Sequence, residues 1–427
     1  MNVTISPSAI SGTLVAPASK SSMQRACALA LLADGETVLY NPGKSNDDLA
    51  ALEIIKNLGA QIHQNNEGNL LIKSSRTPHS GGGGSIHCGE SGLGIRMFAP
   101  IAALSADEMV ISGSGSLLVR PMHFFDELFP RLGISIQSNN GHLPLKIKGP
   151  LQPADITMDG SLSSQFLTGL LIAFGRAVTK PVTITVNNLK SKPYIDLTLQ
   201  MMKQFGYDVA NNNYENFVVA PKPLDPKMVH YTVEGDWSGS AFLLVAGAIA
   251  GGITITGLAV FSAQADKAIL KALVDCGANI SIEEKQIVIN HPLGNTGKAF
   301  HFDATDCPDL FPPLVALAAY CEGVSVIEGV YRLLHKESNR ALTLQEEFKK
   351  MGVNISLQNN LMMIEGNSGI HGATVHSRHD HRIAMACAIA ALKANGETVI
   401  EEAQAVNKSY PGFFEDLKLL HAAVSLQ

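Results

Sequence analysis

SKSSMQRACALALLADGETVLY, residues 19–40, sets a pattern that the rest of the chain repeats: a small polar cluster, an apolar run rich in Ala and Leu, a Gly, then a short Thr/Val stretch. Equivalent clusters follow at intervals of roughly 70 residues: ESGLGIR (90–96), GSLSSQF (160–166), GDWSGSAF (235–242), DCPDLF (306–311) and RHDHR (378–382), six in all. The runs behind them are alike, as in LTGLLIAFGRAVTKPVTITV (167–186) and IAMACAIAALKANGETVI (383–400). What differs is the polar residues at the helix starts. There, four backbone N–H groups lack intrahelical partners and the dipole attracts anions. Lys, Arg, Ser and His at such starts point to anion binding.

A second helix with one apolar face is expected after each first helix and strand, as in DLAALEIIKNLGAQI (48–62), PMHFFDELFPRLGISI (121–136), YIDLTLQMMKQFGYDV (194–209), KAILKALVDCGANISI (267–282) and LTLQEEFKKMGVNISL (342–357). The first helices, almost wholly apolar, are expected to be buried. A unit then reads β-α-β-α-β-β, and the fold class is α/β. With 427 residues, two domains of three units are expected. The linker candidate is PKPLDPKMVHYTV (221–233), interrupted by three Pro.

A hydrophobic content of 46% with 16% charged residues describes a well-buried globular chain. The net charge of −6 argues against a nucleic-acid surface, so cations at the helix starts act locally. Cys27, Cys88, Cys276, Cys307, Cys321 and Cys387 form no CxxC pair and are expected as reduced, buried thiols of a cytoplasmic protein. MNVTISPSAI at the N-terminus carries no secretory pattern. The longest apolar run, AFLLVAGAIA (241–250), is about half a membrane span. No membrane or nucleic-acid partner is expected.

Three stretches imitate other sites. GKS (43–45) resembles the end of a P-loop, but Val38 stands where the earlier Gly belongs. HSRHDHR (376–382) mixes Arg among its His, so an anion is favoured over a metal. GGGG (81–84) reads as a hairpin turn.

Chemistry-bearing residues gather at the helix starts. Lys20, Ser21 and Arg25 lie where the chain enters its first buried helix. Ser163, Ser164 and Gln165 offer neutral donors suited to phosphate. In HKESNR (335–340), Lys336 and Arg340 are spaced to share a helix face beside Glu337. Asp309 stands at the head of an apolar helix as an N-cap candidate, and with Glu337 it supplies two carboxylates for acid–base work.

The whole chain resembles the 5-enolpyruvylshikimate-3-phosphate (EPSP) synthase family. The motifs are SKSSMQR, LLVRP (117–121), GSLSSQFLTGLL, SKPYID (191–196), EGDWSGSA, PDLFP, HKESNR, DHRIAMA and NKSYPGFF (407–414), in one order. The resemblance implies a two-domain inside-out α/β barrel of six β-α-β-α-β-β repeats. Residues 1–18 with 234–427 would form one domain and 19–233 the other, with the active site in the cleft.

It implies transfer of the enolpyruvyl group of phosphoenolpyruvate to the 5-hydroxyl of shikimate 3-phosphate, releasing phosphate, by a cytoplasmic monomer without cofactor or metal. Shikimate 3-phosphate would be held by Lys20, Ser21, Arg25, Ser163, Ser164, Gln165, Ser191, Tyr194, Asp309 and Lys336. Phosphoenolpyruvate would be held by Lys20, Gly92, Arg120, Gln165, Arg340, Arg382 and Lys408. Lys20, Asp309, Glu337 and His381 would be catalytic.

The sequence departs from the family pattern at Glu90, Leu93 and Met97, where Asn, Thr and Pro are usual, and at Asn339, where Asp is usual. Ser116 stands where some members carry a base. These changes bear on phosphoenolpyruvate affinity and on response to glyphosate, the family's inhibitor. Two rivals remain. One is the related UDP-N-acetylglucosamine enolpyruvyl transferase, disfavoured because Ser21 follows Lys20 and Gly115 occupies the reactive Cys position. The other is a paralogue that binds an anion without turnover.

Overall fold

Every polar cluster opens a helix in the computed structural model, which describes residues 1–74, 76–80, 83–290, 297–334 and 336–427. The helices are Lys20–Leu32, Gly92–Ala102, Ser164–Ala177, Trp237–Ala250, Phe311–Ala318 and His381–Ala391. Four start on a side-chain cap: Ser91, Ser163, Asp236 and Asp380 accept from backbone N–H groups of the first turn. The Phe311–Ala318 helix instead continues the 3-10 turn Pro308–Leu310. Nearly all their side chains are buried, because Ala, Gly and Leu leave no polar face to turn outward. Each fully buried Leu, Ile or Phe contributes about 1.5–3 kcal/mol. Gly169 shows how close the packing is: a Cβ there would lie 2.9 Å from Met97 Cα and 2.8 Å from Pro100 Cγ.

The chain divides into two compact units, Met1–Ser19 with Glu234–Gln427, and Lys20–Val233. Ser19 falls in the first unit rather than the second. Its N–H donates to Glu234 O at 2.8 Å and its hydroxyl to Gln264 Oε1 at 3.2 Å.

Among the described residues each unit has three sheets, mixed in the same way: the first strand runs parallel to the second, and the remaining neighbours are antiparallel. Two first strands are exchanged along the sequence. Ile10–Val15 pairs with Gly251–Thr256 in the first unit, Thr13 opposite Thr254, although the next helix in sequence, Lys20–Leu32, belongs to the second. Val229–Thr232 pairs with Glu36–Tyr40 in the second unit, Tyr231 opposite Leu39, and leads into Trp237–Ala250 of the first. Val3–Ser6 completes the last sheet between Thr398–Glu401 and Ala423–Leu426.

Several expectations change. Residues 221–233 are not a simple linker, since their last part is the Val229–Thr232 strand and Lys222 pairs with the buried Asp34 at 2.7 Å. The helix expected over 121–136 is short, His123–Leu128, and passes into the 3-10 turn Phe129–Leu132, where Pro130 has no N–H to continue the ladder. Gly81 and Gly82 of the GGGG run lie outside the described residues, as does His335. All six cysteines are buried and unbridged. No described helix is long and apolar enough to cross a membrane, and AFLLVAGAIA lies within the buried Trp237–Ala250 helix.

Candidate active site

In the second unit the starts of the three buried helices gather at one end. Ser91 Oγ donates to Gln24 Oε1 at 2.8 Å, and Arg96 Nη1 to Gln165 Oε1 at 2.9 Å, so caps and residues of the first two turns touch across helices. Their N-termini, and the positive ends of their dipoles, therefore share one polar face. Lys20 opens the first helix with its ammonium 3.0 Å from Asp47 Oδ2. Asp47 is buried in the first turn of the Asn46–Asn57 helix, whose Ser45–Asp48 capping box occupies the place where GKS imitated a P-loop. Burial pushes the Asp48 carboxyl up to about 6 against the two hydrogen bonds it accepts from Ser45.

Arg25 is enclosed by neutral groups. Its Nε donates to Thr198 Oγ1 at 2.9 Å, Nη1 to Ser21 O at 2.9 Å and Nη2 to Tyr194 O at 3.3 Å. Burial without a carboxylate lowers its pKa to about 10. Gly92 opens the second helix at a crowded point: a Cβ there would fall on Arg120 Nη1 and lie 3.5 Å from Arg96 Nη1 and 3.6 Å from Gln165 Oε1. Arg96, whose guanidinium also sits 5.0 Å over the Phe166 ring, was not among the expected site residues. Ser163 caps the third helix, and Ser164 is buried in its first turn. Ser191 holds a left-handed φ of 57° just before the Lys192–Gln204 helix, which carries Tyr194. Among the departures from the family pattern, Leu93 and Met97 are core side chains. The Glu90 carboxylate lies directly over Gly115, at φ 54°, leaving no room for a Cβ.

The first unit brings together a different set. Asp309 is not an N-cap; it lies inside the Pro308–Leu310 turn, where its carboxylate collects three cations. Lys336 Nζ is 3.1 Å and Arg340 Nη1 2.9 Å from Oδ1, while Arg382 Nη2 is 3.1 Å from Oδ2. Burial opposes its ionisation, but Arg382, Lys336 and Arg340 outweigh that and hold the carboxyl well below its usual range. Lys336 and Arg340 do not share a helix face, because the helix begins at Arg340; they meet on Asp309 instead.

Arg340, 0% exposed, also donates through Nε to Asp380 Oδ2 at 3.0 Å and through Nη2 to Glu337 Oε2 at 2.5 Å. Three carboxylates thus surround it and raise its pKa despite its burial. On the other side of Glu337, Lys408 Nζ lies 3.9 Å from Oε1. His381 is buried at the helix start with Nδ1 3.8 Å from Asp380 Oδ1.

Asp380, Asp47, Ser238 and Asp266 also belong to these clusters and were not among the expected residues. Asp380 carried a local signal, as an N-cap candidate directly before His381 and Arg382, and Ser238 lies in the GDWSGSAF cluster. His376 and His379 flank Glu402 at 3.6 and 3.0 Å, and no group of three or more His, Cys, Asp or Glu among the described residues is arranged to hold a metal ion.

Comparison with known proteins gives these clusters a context. The sequence model of EPSP synthase (3-phosphoshikimate 1-carboxyvinyltransferase) matches residues 5–417. A Clostridium kluyveri protein named 3-phosphoshikimate 1-carboxyvinyltransferase is 36% identical over 98% of this chain and 97% of its own length. A protein of the same name from Aeropyrum pernix is 35% identical over 99% and 96%. The solved structure of an EPSP synthase from Acinetobacter baumannii superposes with a TM-score of 0.81 at 25% identity, covering both chains completely. The enolpyruvyl transferase NikO from Streptomyces tendae shares the fold, with a TM-score of 0.78 at 18% identity over 99% of this chain and 98% of its own. By sequence model and by relatives, the chain belongs to the EPSP synthase (3-phosphoshikimate 1-carboxyvinyltransferase) family.

Proposed function

We propose that the polar clusters of the two units serve one reaction, transfer of the enolpyruvyl group from phosphoenolpyruvate to the 5-hydroxyl of shikimate 3-phosphate with release of phosphate. The observation that carries this reading is the joining of Asp309 and Glu337 through Arg340, with Lys336, Arg382 and Lys408 around them. A site that only bound anions gains nothing from two carboxylates at its centre.

Arg25, Ser21, Ser163, Ser164, Gln165, Ser191, Tyr194 and Lys336 hold shikimate 3-phosphate, with hydroxyl and amide donors on its phosphate. Lys20, Arg120, Lys408 and the Gly92 N–H take the phosphate of phosphoenolpyruvate, and Arg382 with Arg340 its carboxylate. In the addition step the 5-hydroxyl oxygen bonds to C2 while a proton is delivered to the methylene carbon. In the second step that methyl group loses a proton as phosphate leaves. Asp309, held anionic by its cations, accepts a hydrogen bond from the hydroxyl and orients it. Glu337 and Lys20 move the protons, and His381 supports the cluster from within. Lys20, Arg120 and Lys408 stabilise the departing phosphate.

The architecture is read as an inside-out α/β barrel of six repeats, acting as a cytoplasmic monomer. Release of inorganic phosphate that requires both substrates together is the expected result. No phosphate release with both present sinks the catalytic reading and favours a paralogue that only binds.

A further inference from the structure

Among the buried carboxylates of the first unit that this reaction leaves without a task, one touches the cluster through a hydroxyl. Asp266, 2% exposed, stands in the 3-10 turn Ala265–Ala268. Its Oδ2 accepts a hydrogen bond from Ser238 Oγ at 2.5 Å. Ser238, in the first turn of the Trp237–Ala250 helix, accepts in turn from Arg382 Nη2 at 2.7 Å. That same Nη2 donates to Asp309 Oδ2 at 3.1 Å. Asp266, Ser238, Arg382 and Asp309 therefore form a continuous chain from a buried turn to the centre of the cluster.

Its polarity follows from counting protons. A serine hydroxyl has one hydrogen, and a carboxylate only accepts. While Asp266 is ionised it takes that hydrogen, and Ser238 presents a lone pair to Arg382. The two hydrogens of Nη2 are then directed to Ser238 and Asp309, which fixes the plane of the guanidinium. Plane matters here because a planar carboxylate is recognised by a planar fork, and a rotated fork loses one of its two bonds.

We infer that Asp266 is a positioning residue which, acting through Ser238, sets the orientation in which Arg382 meets the carboxylate of phosphoenolpyruvate. This rests on the role proposed above for Arg382. Burial, then the nearby Asp309, push the Asp266 carboxyl up to about 7, against the opposing pull of Arg382 and the Ser238 hydrogen bond. The charged or titratable groups that face it include Asp309, Arg382, Asp236 and the Cys307 thiol. Protonation replaces a charge-assisted hydrogen bond with a neutral one of roughly half the strength. The hold on Arg382 accordingly tightens as pH rises through 7.

The test is steady-state kinetics of the full chain by phosphate release. Asp266→Asn is expected to raise KM for phosphoenolpyruvate about tenfold, the equivalent of one hydrogen bond to a charged group, with kcat and KM for shikimate 3-phosphate within about threefold. The wild-type protein should show a rise in log kcat/KM for phosphoenolpyruvate near pH 7 that the variant lacks. Ser238→Ala should reproduce the KM change, and the double variant should be no worse than Ser238→Ala alone. An unchanged KM with the rise near pH 7 intact overturns the inference, as does an equal loss for both substrates with early melting, the mark of a structural role. Arg382→Lys separates the two readings. If it leaves phosphoenolpyruvate saturation unchanged, the role given to Arg382 fails and this inference with it. If it raises that KM and Asp266→Asn does not, the positioning chain alone fails.

Discussion

Arg25 and Arg340 are both buried, 1% and 0% exposed, and both lie in the first two turns of a helix, yet their surroundings drive their pKa values in opposite directions. Arg340 sits among Asp309, Glu337 and Asp380, and its pKa is raised. Arg25 meets two backbone carbonyls and a threonine hydroxyl, and its pKa falls to about 10. A buried cation with internal counterions is compensated within the unit, and it holds those carboxylates in place before any substrate arrives. A buried cation among neutral acceptors retains a desolvation penalty that only an arriving anion relieves. On the proposed function, Arg25 in the second unit awaits an anion, whereas Arg340 in the first holds carboxylates at defined separations.

The largest effect that sharpens this contrast is on stability. Arg340→Met leaves Asp380, itself 0% exposed, without its cation, and is expected to lower unfolding stability by about 3–5 kcal/mol. Chemical denaturation reads this directly, and a loss below about 1 kcal/mol would mean that the three carboxylates reorganise or protonate without Arg340. Next is Glu337→Gln, which keeps the shape of one wall of the Arg340 cage and removes its charge. Turnover should fall on the order of a hundredfold or more while shikimate 3-phosphate still binds. Turnover within a few fold of wild type would make Glu337 a structural counterion.

Arg25→Met is the counterpart. Thr198 Oγ1 keeps its bonds to Tyr194 O at 2.9 Å and Thr168 Oγ1 at 3.0 Å, so the free protein should be unchanged or more stable by about 1 kcal/mol. Affinity for shikimate 3-phosphate should fall roughly 10- to 150-fold, the equivalent of about 1.5–3 kcal/mol for a charged hydrogen bond. A variant that unfolds easily yet binds normally would reverse the assignments of the two arginines.

The contrast was only partly legible in the sequence. Ser163 and Asp236 announce helix starts by local chemistry, because an N-cap needs only its own side chain and the N–H groups two or three residues on. The exchange of Ile10–Val15 and Val229–Thr232 between sheets had no such sign, since strand pairing joins residues more than 190 positions apart. The spacing of Lys336 and Arg340 predicts a shared helix face, but the bond that unites them is to Asp309, 27 and 31 positions away. Asp266 was invisible for the same reason: nothing around it in sequence distinguishes it from a surface aspartate.

Asp266 also yields an effect on stability, read in melting, whose sign can be worked out. An exposed aspartate in the unfolded chain titrates near 3.9, whereas burial and Asp309 raise it to about 7 in the folded protein. Folding then binds a proton between those two values, so this residue lowers stability progressively as pH rises from about 4 to 7 and constantly above. Asp309 behaves oppositely: its depressed pKa contributes stability above about 4 that is lost as the solution is acidified through its folded value. Asp266→Asn removes the first contribution and leaves the second. The variant should melt with the wild type near pH 4, pull ahead between pH 4 and 7, and keep a constant lead of a few degrees above pH 7. A site retained for positioning at the expense of stability predicts that lead together with the weaker phosphoenolpyruvate saturation expected of the same variant. A variant that melts below wild type at pH 8 would show that the Asp266 charge is already satisfied by Arg382, and that the carboxylate is part of the scaffold.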